Sequence, residues 1–205
     1  MILYGHPFSS YCQKALIAFY ETATAFEFRV VGPDPAVNAE FEALWPLKRF
    51  PVLVDDEWTL PEASIIVEHI APHFVAGGME ARLLDRVFDN YVMTPLQKIV
   101  GDALRPDGAR DPHGVAEARA TLDKAYAWLD AHMAGRQWAA GDFGLADCAA
   151  GPSLFYADWA HPIPDACAAL RAYRGRLVDR PSFARAIDEA REFRRYFPLG
   201  APDRD

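Results

Sequence analysis

The residues with the clearest chemical potential lie close together near the start of the chain. They fall in the stretch Leu3 to Lys14, Leu-Tyr-Gly-His-Pro-Phe-Ser-Ser-Tyr-Cys-Gln-Lys. Ser9 and Ser10 bring hydroxyls, Cys12 a thiol and His6 an imidazole. Met1 to Tyr4 is apolar and predicts a strand, which Gly5, Pro7 and the serine pair then break. From Cys12 on, Cys12, Ala15, Leu16 and Phe19 recur at i, i+3, i+4, i+7, one face of a helix. A strand, a tight turn and a helix N-terminus present hydroxyls, a thiol and free N–H groups at the positive end of a helix dipole. Such a place holds an anion or a thiolate. The plainer role is capping, by Ser9 or Ser10. Cys12 on an apolar helix face reads as core, and a lone histidine before a proline, as His6 is, reads as incidental rather than as a base.

The rest of the chain bounds these possibilities. Its 205 residues suit one large domain or two small ones. A hydrophobic share of 51% and a charged share of 24% are those of a globular protein. No apolar run reaches the ~18 residues of a membrane span, and the N-terminus reads as a strand rather than a leader. A net charge of −8 argues against a nucleic-acid binder and against anionic membrane surfaces. Cys12, Cys148 and Cys167 are too scattered for a disulfide framework or a zinc site, so no metal is expected and a reducing cytoplasm fits.

The elements that must position the turn follow in order. Phe26 to Val31 predicts a second strand, ended by Gly32-Pro33-Asp34-Pro35. Val37 to Leu44 is weakly helical. Val52 to Val54 and Trp58 to Leu60 read as a hairpin about Asp55-Asp56. Pro61-Glu62 opens a third helix with Ile66, Ile70 and Phe74 on its core face. The order is βαβαββα, with the Phe50–Pro51 bond of this topology expected cis. A cis bond there turns the Phe50 backbone outward, its N–H and C=O free to pair with an extended peptide. Val75 to Glu80 reads as a linker. Helical patterns follow, with apolar stripes at Leu84, Val87, Phe88 and Tyr91, then Leu96, Ile99, Val100 and Ala103. Pro95 between them predicts a kink in one long helix. Leu122, Ala125, Tyr126 and Leu129 mark the next helix. Gly144 and Asp147 stand as N-cap and N3 of the most apolar one, which gives Asp147 the return bond of a capping box, a structural role. Two more helices are predicted over 166–178 and 183–193, and the polar tail 199–205 is expected to be loose.

Four segments together carry a resemblance. They are the Ser-Ser-Tyr-Cys turn, Phe50-Pro51-Val52-Leu53, Leu60-Pro61-Glu62-Ala63-Ser64-Ile65-Ile66 and Gly141-Asp142-Phe143-Gly144-Leu145-Ala146-Asp147. In this order and spacing the chain resembles a cytosolic glutathione transferase of the bacterial, serine-using kind, similar to the zeta, theta and delta types. The resemblance implies a thioredoxin-like α/β domain over 1–76, with a mixed four-stranded sheet. It implies an all-α domain over 80–205 that contributes the electrophile pocket. It also implies glutathione as cosubstrate, a homodimer, a detoxifying transferase activity and no metal. The thiol-activating position falls on Ser9, where glutaredoxin-type turns have their nucleophilic cysteine, and Cys12 takes the resolving position. Ser9 would donate to the glutathione sulfur, lowering the thiol pKa. Phe50, before Pro51, would pair with the cysteinyl part, and Glu62 would meet the γ-glutamyl ammonium. Ser10, Lys48, Arg49, Ala63 and Ser64 complete the implied binding set. The family usually has serine after the glutamate; Ala63 here removes one hydroxyl, about 1 kcal/mol of binding. Ser64 is a partial substitute, and Lys48 or Arg49 would meet the glycyl carboxylate. For the second substrate, a small hydrophobic electrophile, the candidates are Phe8, Tyr11, Tyr91, Pro95, Ile99 and Trp159.

Two other readings stand beside this one. The first is thiol–disulfide or reductive chemistry run through Cys12, against which the Ser-x-x-Cys order argues, since the attacking position carries oxygen. The second is a non-catalytic glutathione-binding module, which Ala63 makes less remote. The electrophile itself is open: an aryl halide, an epoxide, a peroxide or an isomerisation substrate. In the transferase reading Ser10 caps the helix and Ser9 is left for chemistry.

Overall fold

A computed structural model describes every residue from Met1 to Asp205. Its N-terminal part runs β1 (Ile2–Gly5), α1 (Ser10–Glu21), β2 (Glu27–Val30), α2 (Pro35–Leu44), β3 (Val52–Asp55), β4 (Trp58–Pro61) and α3 (Ala63–Ile70). The four strands lie in the order β2-β1-β3-β4. β1 is parallel to β2, a pairing that needs the α1 crossover, and antiparallel to β3, which forms a hairpin with β4. The side-chain alternation of β1 then divides the layers. Leu3 and Leu53 face Ala15, Leu16 and Phe19 of α1 and Ile66 of α3. Tyr4 and Val52 face Phe41 of α2. Asp34 caps α2 by accepting from the Ala36 N–H at 2.8 Å, with Pro35 opening the helix.

The expected linker is shorter than its composition suggests. A 3₁₀ turn fills Pro72–Val75, and α4 (Gly78–Val87) begins on the second glycine of the Gly77-Gly78 pair. α4 continues through a π-helical turn, Phe88–Met93, into α5 (Thr94–Ala103). Pro95 does not end this helix; it follows directly on the wide turn, which accommodates its missing N–H. Thr94 Oγ1 donates to the Asp89 carbonyl at 3.0 Å within that turn.

α6 (Pro112–Met133), α7 (Leu145–Ala160), α8 (Ala168–Val178) and α9 (Pro181–Ala190) complete the helical part, followed by a 3₁₀ segment, Arg191–Tyr196. Every residue of α7 is buried. Its start is set by Asp147, which accepts from the Gly144 N–H at 3.0 Å, the Ala139 N–H at 2.9 Å and the Tyr173 hydroxyl at 2.5 Å. Gly144 replaces the usual capping serine for a steric reason: a Cβ there would sit 2.5 Å from the Phe74 carbonyl oxygen. The largest apolar cluster joins α7 to Ile17 and Ala18 of α1 and Val67 of α3, so the sheet part and the helical part share one core.

The C-terminal tail is not loose. Arg204 pairs with Asp158 at 2.5 Å, Asp158 also pairs with Arg174 at 3.3 Å, and Asp205 pairs with Arg191 at 3.0 Å and with Arg194. Polar composition signalled solvation, but these charges are arranged to bind the tail across the end of α7.

Candidate active site

A cleft of about 750 Å³ opens between the sheet part and the helices. Its floor is the β1–α1 turn. Gly5 lets that turn pack tightly, since a Cβ would come 2.6 Å from the Cys12 sulfur. The Ser9 N–H donates to the His6 carbonyl at 2.9 Å, and the Phe8 N–H to His6 Nδ1 at 3.1 Å. Ser9 then caps α1: its Oγ accepts from the Cys12 N–H at 3.3 Å. The cap is thus Ser9, not Ser10, because Ser9 holds the extended backbone that a cap needs. Ser10 instead donates its hydroxyl to Met93 Sδ at 3.3 Å, tying α1 to the π turn. The Ser10 and Tyr11 N–H groups at the helix start have no partner in the protein.

Cys12 is 0% exposed, and burial pushes its thiol up to about 12. The His6 N–H reaches its sulfur at 3.4 Å. At neutral pH this sulfur is a buried thiol, without nucleophilic character. His6 lines the cleft, and burial lowers its pKa.

The second wall comes from the segment before β3 and the start of α3. Phe50–Pro51 is cis, and the Phe50 N–H and C=O are unpaired. Lys48 and Arg49 flank it; Lys48 pairs with Glu42 at 2.8 Å, while Arg49 has no carboxylate partner. Glu62 stands at φ 75°, exposed, before Ala63 opens α3. Ser9, Ser10, Lys48, Arg49, Phe50, Pro51, Glu62 and Ala63 all line the one cleft.

Ser64 does not join them. It is buried in an ionic network, accepting from Lys14 Nζ at 2.9 Å and from Arg86, and donating to Asp85 at 2.9 Å. Lys14, 1% exposed, also pairs with Asp85 at 2.6 Å and with Asp89 at 2.8 Å. Burial raises the Asp89 pKa against the pull of Lys14. This network clamps α1 and α3 onto α4 and the π turn, and its Arg86 and Asp89 line the cleft.

Residues 3–76 match the family model described as Glutathione S-transferase, N-terminal domain, and residues 112–176 the one described as Glutathione S-transferase, C-terminal domain. The chain belongs to the cytosolic glutathione transferase family. Glutathione transferase F2 of Populus trichocarpa superposes with a TM-score of 0.79 at 16% identity, over 93% of this chain and 99% of that one. Gtt2 of Saccharomyces cerevisiae gives 0.74 at 21%, over 91% and 100%. A glutathione transferase from Pseudomonas putida, solved with one glutathione disulfide bound per subunit, gives 0.79 at 18%, over 91% and 90%. These likenesses are of fold. No curated protein sequence matches the chain.

In this glutathione transferase family member the cleft wall opposite Ser9 differs from the sequence-based expectation. Phe8 and Tyr11 line the cleft; burial pushes the Tyr11 hydroxyl up to about 12. Tyr91 is exposed and stands outside the lining, and Pro95, Ile99 and Trp159 are buried in the helical core. Met93, Leu96, Gln97, Val100 and Leu104 line it instead, with Tyr156 and the segment 196–198. Their spacing is itself a helical stripe. The π turn rotates it toward the cleft, since an extra residue in a turn shifts the following face by about 100°. No helix in the structure is long and apolar enough to cross a membrane.

Proposed function

We propose that the chain is a cytoplasmic, detoxifying transferase that binds glutathione in this cleft and activates its thiol through Ser9. The thiolate then attacks a small hydrophobic electrophile. One observation carries the reading. The Ser9 hydroxyl, at a helix start with two unpaired N–H groups, shares one cleft with the unpaired Phe50 backbone and with Glu62.

The chemistry follows from the hydroxyl's capacity. A serine oxygen accepts on its lone pairs and donates one proton. Ser9 accepts from Cys12 N–H, which leaves its own proton to give to a sulfur. A bond to the charged form, added to the helix dipole, lowers the thiol pKa, and the thiol proton passes to solvent. The nucleophile belongs to the peptide; Ser9 stabilises it. Glu62 meets the γ-glutamyl ammonium, and the N–H groups opening α3 meet its carboxylate in place of the hydroxyl that Ala63 lacks. Arg49, free of any ion pair, suits the glycyl carboxylate better than Lys48, which is held by Glu42. The burial of Cys12 argues against a thiol–disulfide mechanism run through the protein. The family further suggests a homodimer, to be checked as a doubled mass in light scattering.

Calorimetric titration with glutathione, paired with conjugation assays of the Ser9→Ala variant, tests the proposal. Heat of binding at millimolar glutathione and a large loss of rate in the variant are expected. Absence of binding, or an unchanged rate, overturns it.

A further inference from the structure

Arg86 stands in the last turn of α4 and lines the cleft, its side chain half exposed. One edge of its guanidinium is fixed. Nε donates to Asp85 Oδ2 at 3.0 Å, and Nη2 donates to Asp85 and to Ser64 Oγ. Asp89 Oδ2 lies 3.6 Å from the same Nη2. Nη1 has no partner in the protein, which leaves two N–H donors unused on a residue of the cleft. A planar fork held along one edge presents the other in a set direction, with its freedom lost before any ligand arrives.

This fork is anchored beside the one departure from the family pattern. Ser64, which accepts from it, follows directly on Ala63, where the usual hydroxyl is missing. Glu62 and Ala63 line the same cleft as Arg86. Burial opposes the Arg86 charge, but Asp85, Asp89 and Glu62 favour it and raise its pKa, so the group stays a cation in the field of Glu62. A carboxylate and a guanidinium at one end of a cleft match an α-amino acid headgroup, whose ammonium and carboxylate share a carbon. A serine hydroxyl would bring a neutral donor, whereas a charge-assisted bond is roughly twice as strong.

We propose that Arg86 binds the α-carboxylate of the γ-glutamyl residue through Nη1, in place of the serine hydroxyl that Ala63 lacks. The inference rests on the glutathione transferase reading above. It makes Arg86 a specificity-determining residue for the thiol: a cysteinyl peptide carrying a complete α-amino acid headgroup is preferred over one with an amine alone. The carboxylate is remote from the sulfur, and its bond is the same for thiol, thiolate and transition state. Such uniform binding sets KM and leaves kcat alone.

Titration calorimetry of wild type and Arg86→Gln with two peptides tests this. One is glutathione; the other, 4-aminobutanoyl-cysteinyl-glycine, keeps the amine, the thiol and the glycyl carboxylate and lacks only the α-carboxylate in question. Wild type should prefer glutathione. In the variant glutathione affinity should fall about 10- to 100-fold, the equivalent of a charge-assisted hydrogen bond, with affinity for the analogue held within about twofold. The KM for glutathione should rise with kcat unchanged. Arg86→Lys, which keeps the cation without the fork, should retain part of the preference, and it carries the test if circular dichroism shows the Gln variant misfolded. A glutathione-to-analogue ratio that the variants leave unchanged overturns the inference, as does wild type that binds the two peptides equally; either result leaves the transferase reading intact. Wild type that binds neither peptide overturns both.

Discussion

The Cys12 N–H donates to Ser9 Oγ at 3.3 Å, so the hydroxyl proposed to hold a sulfur is also the cap of α1. Capping and thiol activation use different parts of one group, a lone pair and a proton. Ser9→Ala removes both. Thermal unfolding should show about 1 kcal/mol lost with the cap. Conjugation should slow by about 10- to 100-fold, the kinetic equivalent of a hydrogen bond to a charged sulfur. The pH–rate profile should move upward as the bound thiol pKa rises. Ser9→Thr, which keeps a hydroxyl, should restore stability and part of the rate.

Ala63 is 4% exposed at the first position of α3, facing the cleft. Restoring the hydroxyl with Ala63→Ser should tighten glutathione binding about fivefold in titration calorimetry, the equivalent of one hydrogen bond near 1 kcal/mol. Unchanged affinity would mean that the γ-glutamyl carboxylate lies elsewhere.

Lys14 holds Asp85, Asp89 and Ser64 in a nearly dry interior. Lys14→Met leaves the buried Asp85 paired only with the half-exposed Arg86, a change that costs about 3 kcal/mol, the low end for a broken buried pair. Chemical denaturation should register that loss. The double variant Lys14→Met, Asp85→Leu should recover part of it, because the stranded charge goes with its partner.

Glu21 joins the end of α1 to Arg180 through two bonds of 2.7 and 2.6 Å. Burial alone would raise its pKa, but the hydrogen bonds from Arg180 bring it below the ordinary 4.5. The unfolded state therefore binds the proton more readily. The stability contributed by the carboxylate is present above the ordinary value and lost as pH falls through the folded one. Glu21→Gln should cost about 1 kcal/mol at pH 7 and nothing at a pH below the folded value. Urea unfolding of both proteins across that range measures the difference.

Arg204 fastens the tail to Asp158 at 2.5 Å, and residues 196–198 upstream line the cleft. Arg204→Ala should speed amide exchange in the tail about two- to fivefold, in keeping with one partly exposed ion pair. A raised KM for the second substrate should accompany it, with the glutathione KM unchanged.

Local chemistry made much of this legible from the sequence. The strand–turn–helix of Ser9 rests on a few neighbouring residues whose backbone preferences point one way. The cis Phe50–Pro51 step and Glu62 at φ 75° run against local preference and were legible only through the topology and the family resemblance. The capping bond of Asp147 was readable locally, like the Ser9 turn. What the sequence could not decide depends on how elements turn toward one another. Tyr91, Pro95 and Ile99 read as pocket residues, yet Met93, Leu96, Gln97 and Val100 line the cleft, because the π turn before Pro95 sets the phase of the helix that follows. Ser64 reads as a ligand beside Glu62, yet α3 packs it onto Lys14 and Arg86. Arg204 and Asp205 looked like solvated charges until the fold brought Asp158, Arg191 and Arg194 beside them. Tyr156, in a helix buried along its whole length, carries no signal in its neighbours. The Gln13 amide beside it meets Pro7, Tyr156 and Ala186, which converge from distant parts of the chain. Short-range backbone preference is written residue by residue, whereas the phase of a helix and the partner of a buried polar group are settled only when the whole core packs.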